Sequence, residues 1–186
     1  MNLSETITAF RPLCEQEETD RRVMLQVLER DPTCFSRENL LYHFTASSWI
    51  FDPGSGQVLM LWHNIYHSWS WSGGHADGET DLLRVALREA KEETGLHGVV
   101  PASEAICSLE TLPVPAHVRR GIFVPAHLHL NVTYMLRADA AEPLRVKPDE
   151  NSALCWMAPS DAVARSGEEL MKPIYRKLNE RLEAFF

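Results

Sequence analysis

No apolar run in this 186-residue chain approaches the ~20 residues that a membrane-spanning helix requires, so no span is expected. Basic residues are in short supply, with 18 Lys and Arg against 26 Asp and Glu and a formal net charge of −8. That balance lacks the positive footprint a polymeric nucleic acid needs. It leaves room for a small phosphorylated ligand, because a divalent cation inverts the local sign. Cysteine is sparse: Cys14, Cys34, Cys107 and Cys155 include no CxxC pair, and scattered thiols fit a reducing compartment. The opening "MNLSETITAFRPLCEQEETD" has no basic flank leading into an apolar block, so a secretory signal is not expected and a cytoplasmic location is. Repeats and low-complexity segments are absent. What remains is an ordinary globular mix, 45% hydrophobic and 24% charged, at a length that suits one domain with a real core.

Periodicity places the elements. Glu15–Arg30 reads as a helix, with Val23, Met24, Val27 and Leu28 as its apolar stripe and acids in its first turn. Asp31-Pro32 ends it. "HFTASSWIFD" (His43–Asp52) and "QVLMLWHNI" (Gln57–Ile65) read as strands joined by the turn "PGSG" into a hairpin. In "HSWSWSGG", Trp69 and Trp71 alternate with serines, which places both on one strand face. Asp81–Thr94 reads as a helix that stops at Gly95. Val132–Ala138 and Ser152–Ala158 are β-rich. Ser160-Asp161 is expected to cap a short helix, and Ser166 and Glu169 have capping-box spacing. Leu170, Ile174, Leu178 and Leu182 predict a C-terminal helix, with Pro173 near its start. Strands in the middle and helices at the ends give an α+β sandwich.

The interior helix carries the chemistry. At about 100° per residue, Glu93 falls about 40° to one side of Glu89 and Glu92 about 60° to the other. Leu83, Ala86, Leu87, Ala90 and Thr94 cluster on an adjacent face, expected to meet the core. Lys91 points away and does not neutralise the three acids, while Arg88 flanks Glu92. Like charges at this spacing repel by about 0.2–0.5 kcal/mol per pair on an exposed helix. A solvated acidic face is one account of them. The other is a hard divalent cation, which takes oxygen ligands and shares its sphere with substrate phosphates. Gly73-Gly74 ends the preceding strand and Gly78 lies in the loop, so the backbone can reverse sharply and approach a ligand. As a coupled set, these carboxylates are expected to have some pKa values raised by mutual repulsion.

The stretch "SGGHADGETDLLRVALREAKEETGL", Ser72–Leu96, resembles the Nudix hydrolase box. That pattern runs Gly, five residues, Glu, seven residues, then Arg-Glu-aliphatic-any-Glu-Glu-any-Gly-aliphatic. Gly74 matches its first glycine. Arg88, Glu89, Ala90, Glu92, Glu93, Gly95 and Leu96 match its second half in order, and "WSWSGG" is similar to the usual Trp-x-Leu-Pro-Gly-Gly entry. Thr80 stands where the first glutamate belongs, and Glu79 is one place early. A loop shorter by one residue, offset by one extra residue before Arg88, accounts for this. The resemblance implies an α/β/α sandwich around a mixed β-sheet, spanning residues 40–186, with residues 1–39 an N-terminal helical extension that covers the sheet or mediates a homodimer. It implies hydrolysis of a pyrophosphate bond in a nucleoside diphosphate joined to another group, with Mg²⁺ or Mn²⁺. Glu89 and Glu93 are then metal ligands, Glu92 a ligand or the base, and Gly74 a carbonyl donor. Arg88 would hold a glutamate, Glu79 would orient that arginine, and Glu150 in "PDENSALCWMAP" is the candidate base from a late loop.

Further residues are candidates for substrate contact. His75 follows Gly74 directly. His127 and His129 share a strand face, where they contact phosphate, act as acid or base, or with His117 bind a second metal. Arg119 and Arg120 suit a bidentate grip on a terminal phosphate. Trp49, Trp62, Trp69 and Trp71 are expected mainly in the core. Residues 112–126 read as specificity loops. Two other functions fit the fold: a nucleotide-sensing domain without hydrolysis, and a prenyl-diphosphate isomerase, for which Cys107 and Cys155 exist but lie in no motif.

Overall fold

The computed structural model describes residues 2–119 and 121–186. In chain order its elements are α1 Leu3–Ala9, α2 Glu15–Arg30, β1 Tyr42–Phe51, β2 Val58–His63, β3 Ser68–Ser70, β4 Ser72–His75, α3 Leu82–Thr94, β5 Val100–Val114, β6 His117–Arg119, β7 Ile122–Val124, β8 His127–Arg137, β9 Asn151–Met157, α4 Pro159–Arg165 and α5 Met171–Leu182. Seven strands form a mixed sheet, in the order β3-β2-β1-β8-β5, with β4 also on β1 and β9 also on β2. β1 and β8 run parallel, from Tyr42↔Leu128 to Phe51↔Arg137. The other pairs in the sheet are antiparallel. β6 and β7 make a separate two-stranded ribbon.

Helices cover the sheet, giving the mixed α/β/α sandwich that the sequence predicts. From His43 to Phe51, β1 is buried throughout, as a central strand covered on both faces must be. Phe44, Ala46 and Ile50 join Leu82, Val85, Ala86 and Ala90 of α3, and Ile7 and Met24 of α1 and α2, in one cluster. Trp49 and Phe51 join Ile174, Tyr175, Leu178 and Leu182 of α5 in the other. Full burial of an aliphatic side chain contributes about 1.5–3 kcal/mol, so that stripe alone anchors α5.

Several local expectations change. The "PGSG" turn forms, with Asp52 accepting from the Gly54 and Ser55 amides at 3.1 and 3.0 Å, but β1 meets β2 only at Phe51↔Val58. "HSWSWSGG" is two strands, because β3 pairs with β2 while β4 crosses to β1. α4 starts on Pro159 without a side-chain cap, so Ser160-Asp161 is not its cap. α5 starts at Met171 with no capping box, and Leu170 is 56% exposed. Pro173 fits its first turn, where amides have no intrahelical partner. β5 runs fifteen residues through a stretch that sequence periodicity did not mark, and reaches Val114 inside the expected loop region.

α2 and α5 meet β5 through buried charge. Lys177 Nζ lies 3.2 Å from Glu17 and 3.1 Å from Glu110, and Arg181 Nη2 lies 2.6 Å from Glu17. Ser108 donates to Glu17 and Glu110, and Asn131 Nδ2 continues the network to Thr133. Its carbonyl oxygen accepts from Thr45 and Ser47 of β1. Burial raises the Glu110 pKa, against the pull of Lys177.

Candidate active site

Asp81 caps α3 by accepting from the Arg84 amide at 3.1 Å, and Gly95 closes it in the left-handed conformation, φ 75°. The buried stripe is Leu82, Val85, Ala86, Ala90, Glu93 and Thr94. Leu83 and Leu87 are only half-buried, so the helix is rotated from the expected face and Glu93 is turned inward. Glu93 is 4% exposed, with its Oε2 3.0 Å from the Gly73 amide. Burial pushes its pKa up to about 8, against the pull of that amide, with Glu89 and Glu150 adding to the rise. The cause is therefore chiefly desolvation rather than the mutual repulsion expected from sequence.

The Gly74 backbone accommodates Glu89. A Cβ on Gly74 would stand 2.7 Å from Glu89 Oε1, so only glycine lets this carboxylate lie against the strand. Arg88 binds Glu89 through Nη2 at 2.8 Å and donates from the same nitrogen to the His75 carbonyl at 3.2 Å. Glu89 holds the Arg88 pKa above its usual value. Glu92 is exposed on the same helix. Lys147 Nζ lies 3.5 Å from Glu92 and 3.1 Å from Glu150, bringing the late loop to the helix. Burial pulls the Lys147 pKa down, but the bond to Glu150 and the field of Glu89 and Glu92 outweigh it and hold the group charged. Asn151, next to Glu150, donates from Nδ2 to the Glu93 carbonyl at 2.9 Å.

Gly74, Arg88, Glu89, Glu92, Glu93 and Glu150 thus come together. Glu79 does not join them as expected. It accepts from the Asp81 amide at 2.9 Å and pairs with Arg84 at 3.2 Å rather than with Arg88. The loop acid whose field reaches Arg88 is Asp77, itself bound by Arg37. Arg120 and the side chain of Arg119 lie outside the described residues. Sequence reasoning missed Lys147 and Asn151, although Lys147 stands three residues before Glu150, a spacing that allows pairing. It also missed Arg37 and Asp77, whose pairing joins residues forty positions apart.

The residues fit a hard divalent cation by chemistry. They offer four carboxylates and a backbone carbonyl, and one of those carboxylates is desolvated without an ion-pair partner among the described residues. Their ligand atoms do not converge; Glu89, Glu92 and Glu93 are each held by a separate partner.

His75, His127 and His129 gather instead around His43. His43 pairs with His129 across β1 and β8, and ring centroids of neighbouring members lie 4.9–5.1 Å apart. His117 is further off, 6.3 Å from His127. Burial, reinforced by the neighbouring imidazoles, pushes His129 down to about 2. A groove of about 330 Å³ bordered by Leu41, Pro113, Ala126 and His127 opens beside these rings rather than at the carboxylates.

The chain matches the NUDIX domain family over residues 41–178. It belongs to the Nudix family, and by that membership is a pyrophosphohydrolase. Among solved structures, a C. elegans Ap4A hydrolase in a binary complex aligns with TM-score 0.57 at 20% identity, over 76% of this chain and 98% of that one. E. coli dihydroneopterin triphosphate pyrophosphohydrolase aligns with TM-score 0.53 at 16% identity, over 72% and 92%. A NUDIX-family hydrolase from Clostridium perfringens aligns with TM-score 0.52 at 20% identity, over 77% and 98%. These likenesses establish the fold. No curated protein matches the chain significantly in sequence. Among the described residues no helix is long and apolar enough to cross a membrane.

Proposed function

We propose that the chain is a Mg²⁺- or Mn²⁺-dependent hydrolase that cleaves the pyrophosphate bond of a nucleoside diphosphate joined to another group. The observation that supports this reading is Glu93, a carboxylate buried beside Gly73 with its pKa near 8, next to three further acids on α3 and the late loop. Such a group is costly unless it is protonated or faces a cation. Glu89, Glu92, Glu93 and the Gly74 carbonyl would hold the ion, which when bound neutralises phosphate oxygens and acidifies a water.

The chain's own groups then have definite tasks. Arg88 fixes Glu89 against Gly74 and ties it to the backbone of His75. Glu150 is the base that takes the proton of the attacking water, whose oxygen bonds to one phosphorus as the bridging phosphorus–oxygen bond breaks. Lys147 keeps Glu150 and Glu92 oriented and presents positive charge to the departing phosphate. Glu93 gives up its proton when the cation enters, so metal affinity falls as pH falls. The groove beside His127 is a seat for the non-phosphate part of the substrate. The structural neighbours named for Ap4A and dihydroneopterin triphosphate make dinucleoside polyphosphates and nucleoside-triphosphate-like compounds the first substrates to try.

One of the two thiols named for the isomerase alternative is unsuited to it. Cys107 is 7% exposed and burial pushes it up to about 12, which leaves it inert as an acid or base. Hydrolysis is tested by product release from a panel of dinucleoside polyphosphates, nucleotide sugars, ADP-ribose-type conjugates and nucleoside triphosphates, with and without Mg²⁺. Metal-dependent release from at least one substrate, reduced about 10²-fold or more in Glu93→Gln, is expected. Equal rates for wild type and Glu93→Gln on every active substrate would remove the site assignment. Binding of these nucleotides by folded protein without any release would favour the sensing domain.

A further inference from the structure

Three neighbouring strands bring histidines to one face of the sheet. β1 and β8 place His43 opposite His129, and β1 and β4 place Thr45 opposite His75. Side chains alternate along a strand, so His43, two residues from Thr45, shares the face of His75, and His127 shares that of His129. Ligand nitrogens of His43, His75 and His129 all lie within 4.8 Å of one another. Around a tetrahedral ion with metal–nitrogen bonds of ~2.0–2.1 Å, nitrogens stand about 3.4 Å apart. Binding would require the rings to draw together by up to about 1.4 Å. Among the described residues this is the one group of three or more His, Cys, Asp or Glu that converges so far.

A second observation points the same way. His43 is 3% exposed, and its Nδ1 lies 3.1 Å from the Asn39 carbonyl oxygen. A carbonyl oxygen only accepts, so Nδ1 carries the proton and Nε2 presents a lone pair. That Nε2 is buried with no hydrogen-bond partner among the described residues. A buried acceptor left unmet is unfavourable, and a cation at the centre of the three rings satisfies it. Backbone carbonyls behind metal-bound imidazoles fix ring orientation in this manner. His127 supplies a similar hold on His129. Its Nδ1 lies 2.9 Å from the Pro125 carbonyl oxygen, so its Nε2, 3.2 Å from His129 Nε2, is an acceptor that orients the neighbouring ring.

We propose that His43, His75 and His129 form a binding site for a late first-row divalent ion of the zinc type, separate from the carboxylate site on α3. Neutral imidazoles select such ions over Mg²⁺ and Mn²⁺, which favour oxygen. Three protein nitrogens leave a coordination position for water or an anionic oxygen, and His75 and His129 are only half-buried. The two sites share β4. Gly74 faces Glu89, and the next residue turns its side chain to the other face. The histidine site does not depend on the hydrolytic assignment.

The test uses full-length protein stripped with a chelator and titrated with Zn²⁺ by calorimetry and with Co²⁺ by visible absorption. One equivalent of Zn²⁺ that is lost in His129→Gln and retained in Glu89→Gln/Glu93→Gln is expected, beside any taken up at the carboxylates, with Co²⁺ bands of a low-coordinate nitrogen site and X-ray absorption of the carboxylate double variant showing imidazole nitrogen at ~2.0–2.1 Å. Millimolar Mg²⁺ should not compete. Affinity should fall about 100-fold or more in His129→Gln and in the half-exposed His75→Asn, beyond the 10–100-fold typical of losing only an outer partner. It should persist in Glu89→Gln/Glu93→Gln. Far-ultraviolet dichroism checks that each variant is folded. Absence of Zn²⁺ and Co²⁺ uptake by folded wild type overturns the proposal, as does binding unchanged in His75→Asn or abolished in the carboxylate double variant.

Discussion

Replacing Glu93 with glutamine separates the electrostatic from the steric role of this residue. Glutamine keeps the shape and an oxygen to accept from the Gly73 amide, but has no charge to desolvate. In wild type the carboxyl has a pKa near 8 folded against 4.5 as its ordinary value. A raised folded pKa means that its favourable contribution is complete below about pH 4.5 and is lost as pH rises through about 8. At about 1.36 kcal/mol per pH unit, metal-free wild type should lose about 3 kcal/mol between about pH 5.5 and 8.5 through this group alone. For a chain of this size that is about 6–12 °C in midpoint temperature. Glu93→Gln lacks the term, so its stability relative to wild type should grow by that amount over the same interval. Urea and thermal denaturation in a chelator, at matched ionic strength, measure the difference. Adding Mg²⁺ at the alkaline end should then stabilise wild type more than the variant, because binding to the folded state adds stability by mass action. A gap between the proteins that does not change with pH in chelator would refute the argument, since it would mean the Glu93 carboxylate is solvated.

Three further outcomes are expected. Gly74→Ala should fold but displace Glu89, whose Oε1 stands 2.7 Å from the added Cβ, and lower turnover about 10²-fold as misplacement of a site group typically does; an unchanged rate would show that Glu89 need not lie against the strand. Lys147→Met removes the cation shared by Glu92 and Glu150, so the Mg²⁺ concentration for half-maximal rate should fall about 2–5-fold, the equivalent of about 0.5–1 kcal/mol for a partly exposed pair; a rise would mean that Lys147 supports metal binding instead. Lys177→Met leaves Glu110 buried without its ammonium and should cost about 3–5 kcal/mol in urea denaturation, part of it recovered by adding Glu110→Gln; no recovery would place the loss in packing.

How much of this was legible in the sequence depends on how local each feature is. α3 was, because its cap Asp81, its stop Gly95 and the Arg88–Leu96 motif lie within one turn-helix unit. So was α2, whose periodicity gave its limits. The inward turn of Glu93 was not, because helical spacing alone ranks Leu83 and Leu87 above a carboxylate for burial. Only the approach of Gly73 shows why a charged residue faces the strand. β5 escaped because its first six residues are exposed or half-buried without alternation, and register shifts follow between Pro101 and Ser108. The histidine group was half visible. "HLHL" shows a shared face for His127 and His129, but it takes the parallel register of β1 and β8 to add His43, and β4 crossing onto β1 to add His75. His117, the partner suggested by sequence proximity, belongs to the separate ribbon.

The loop ahead of α3 is held by the segment before β1. Glu79 directs its carboxylate to Arg84 and the Asp81 amide, where it supports the start of α3 rather than Arg88. In this loop Asp77 stands at φ 50°, an uncommon conformation outside glycine that asparagine and aspartate tolerate best. Two contacts hold it: Arg37 grips the Asp77 carboxylate, and the Phe35 carbonyl accepts from the Gly78 amide at 2.9 Å. The same stretch supplies the Asn39 carbonyl that orients His43. Residues 35–39 therefore brace both the loop that feeds the carboxylate helix and a ring of the histidine group.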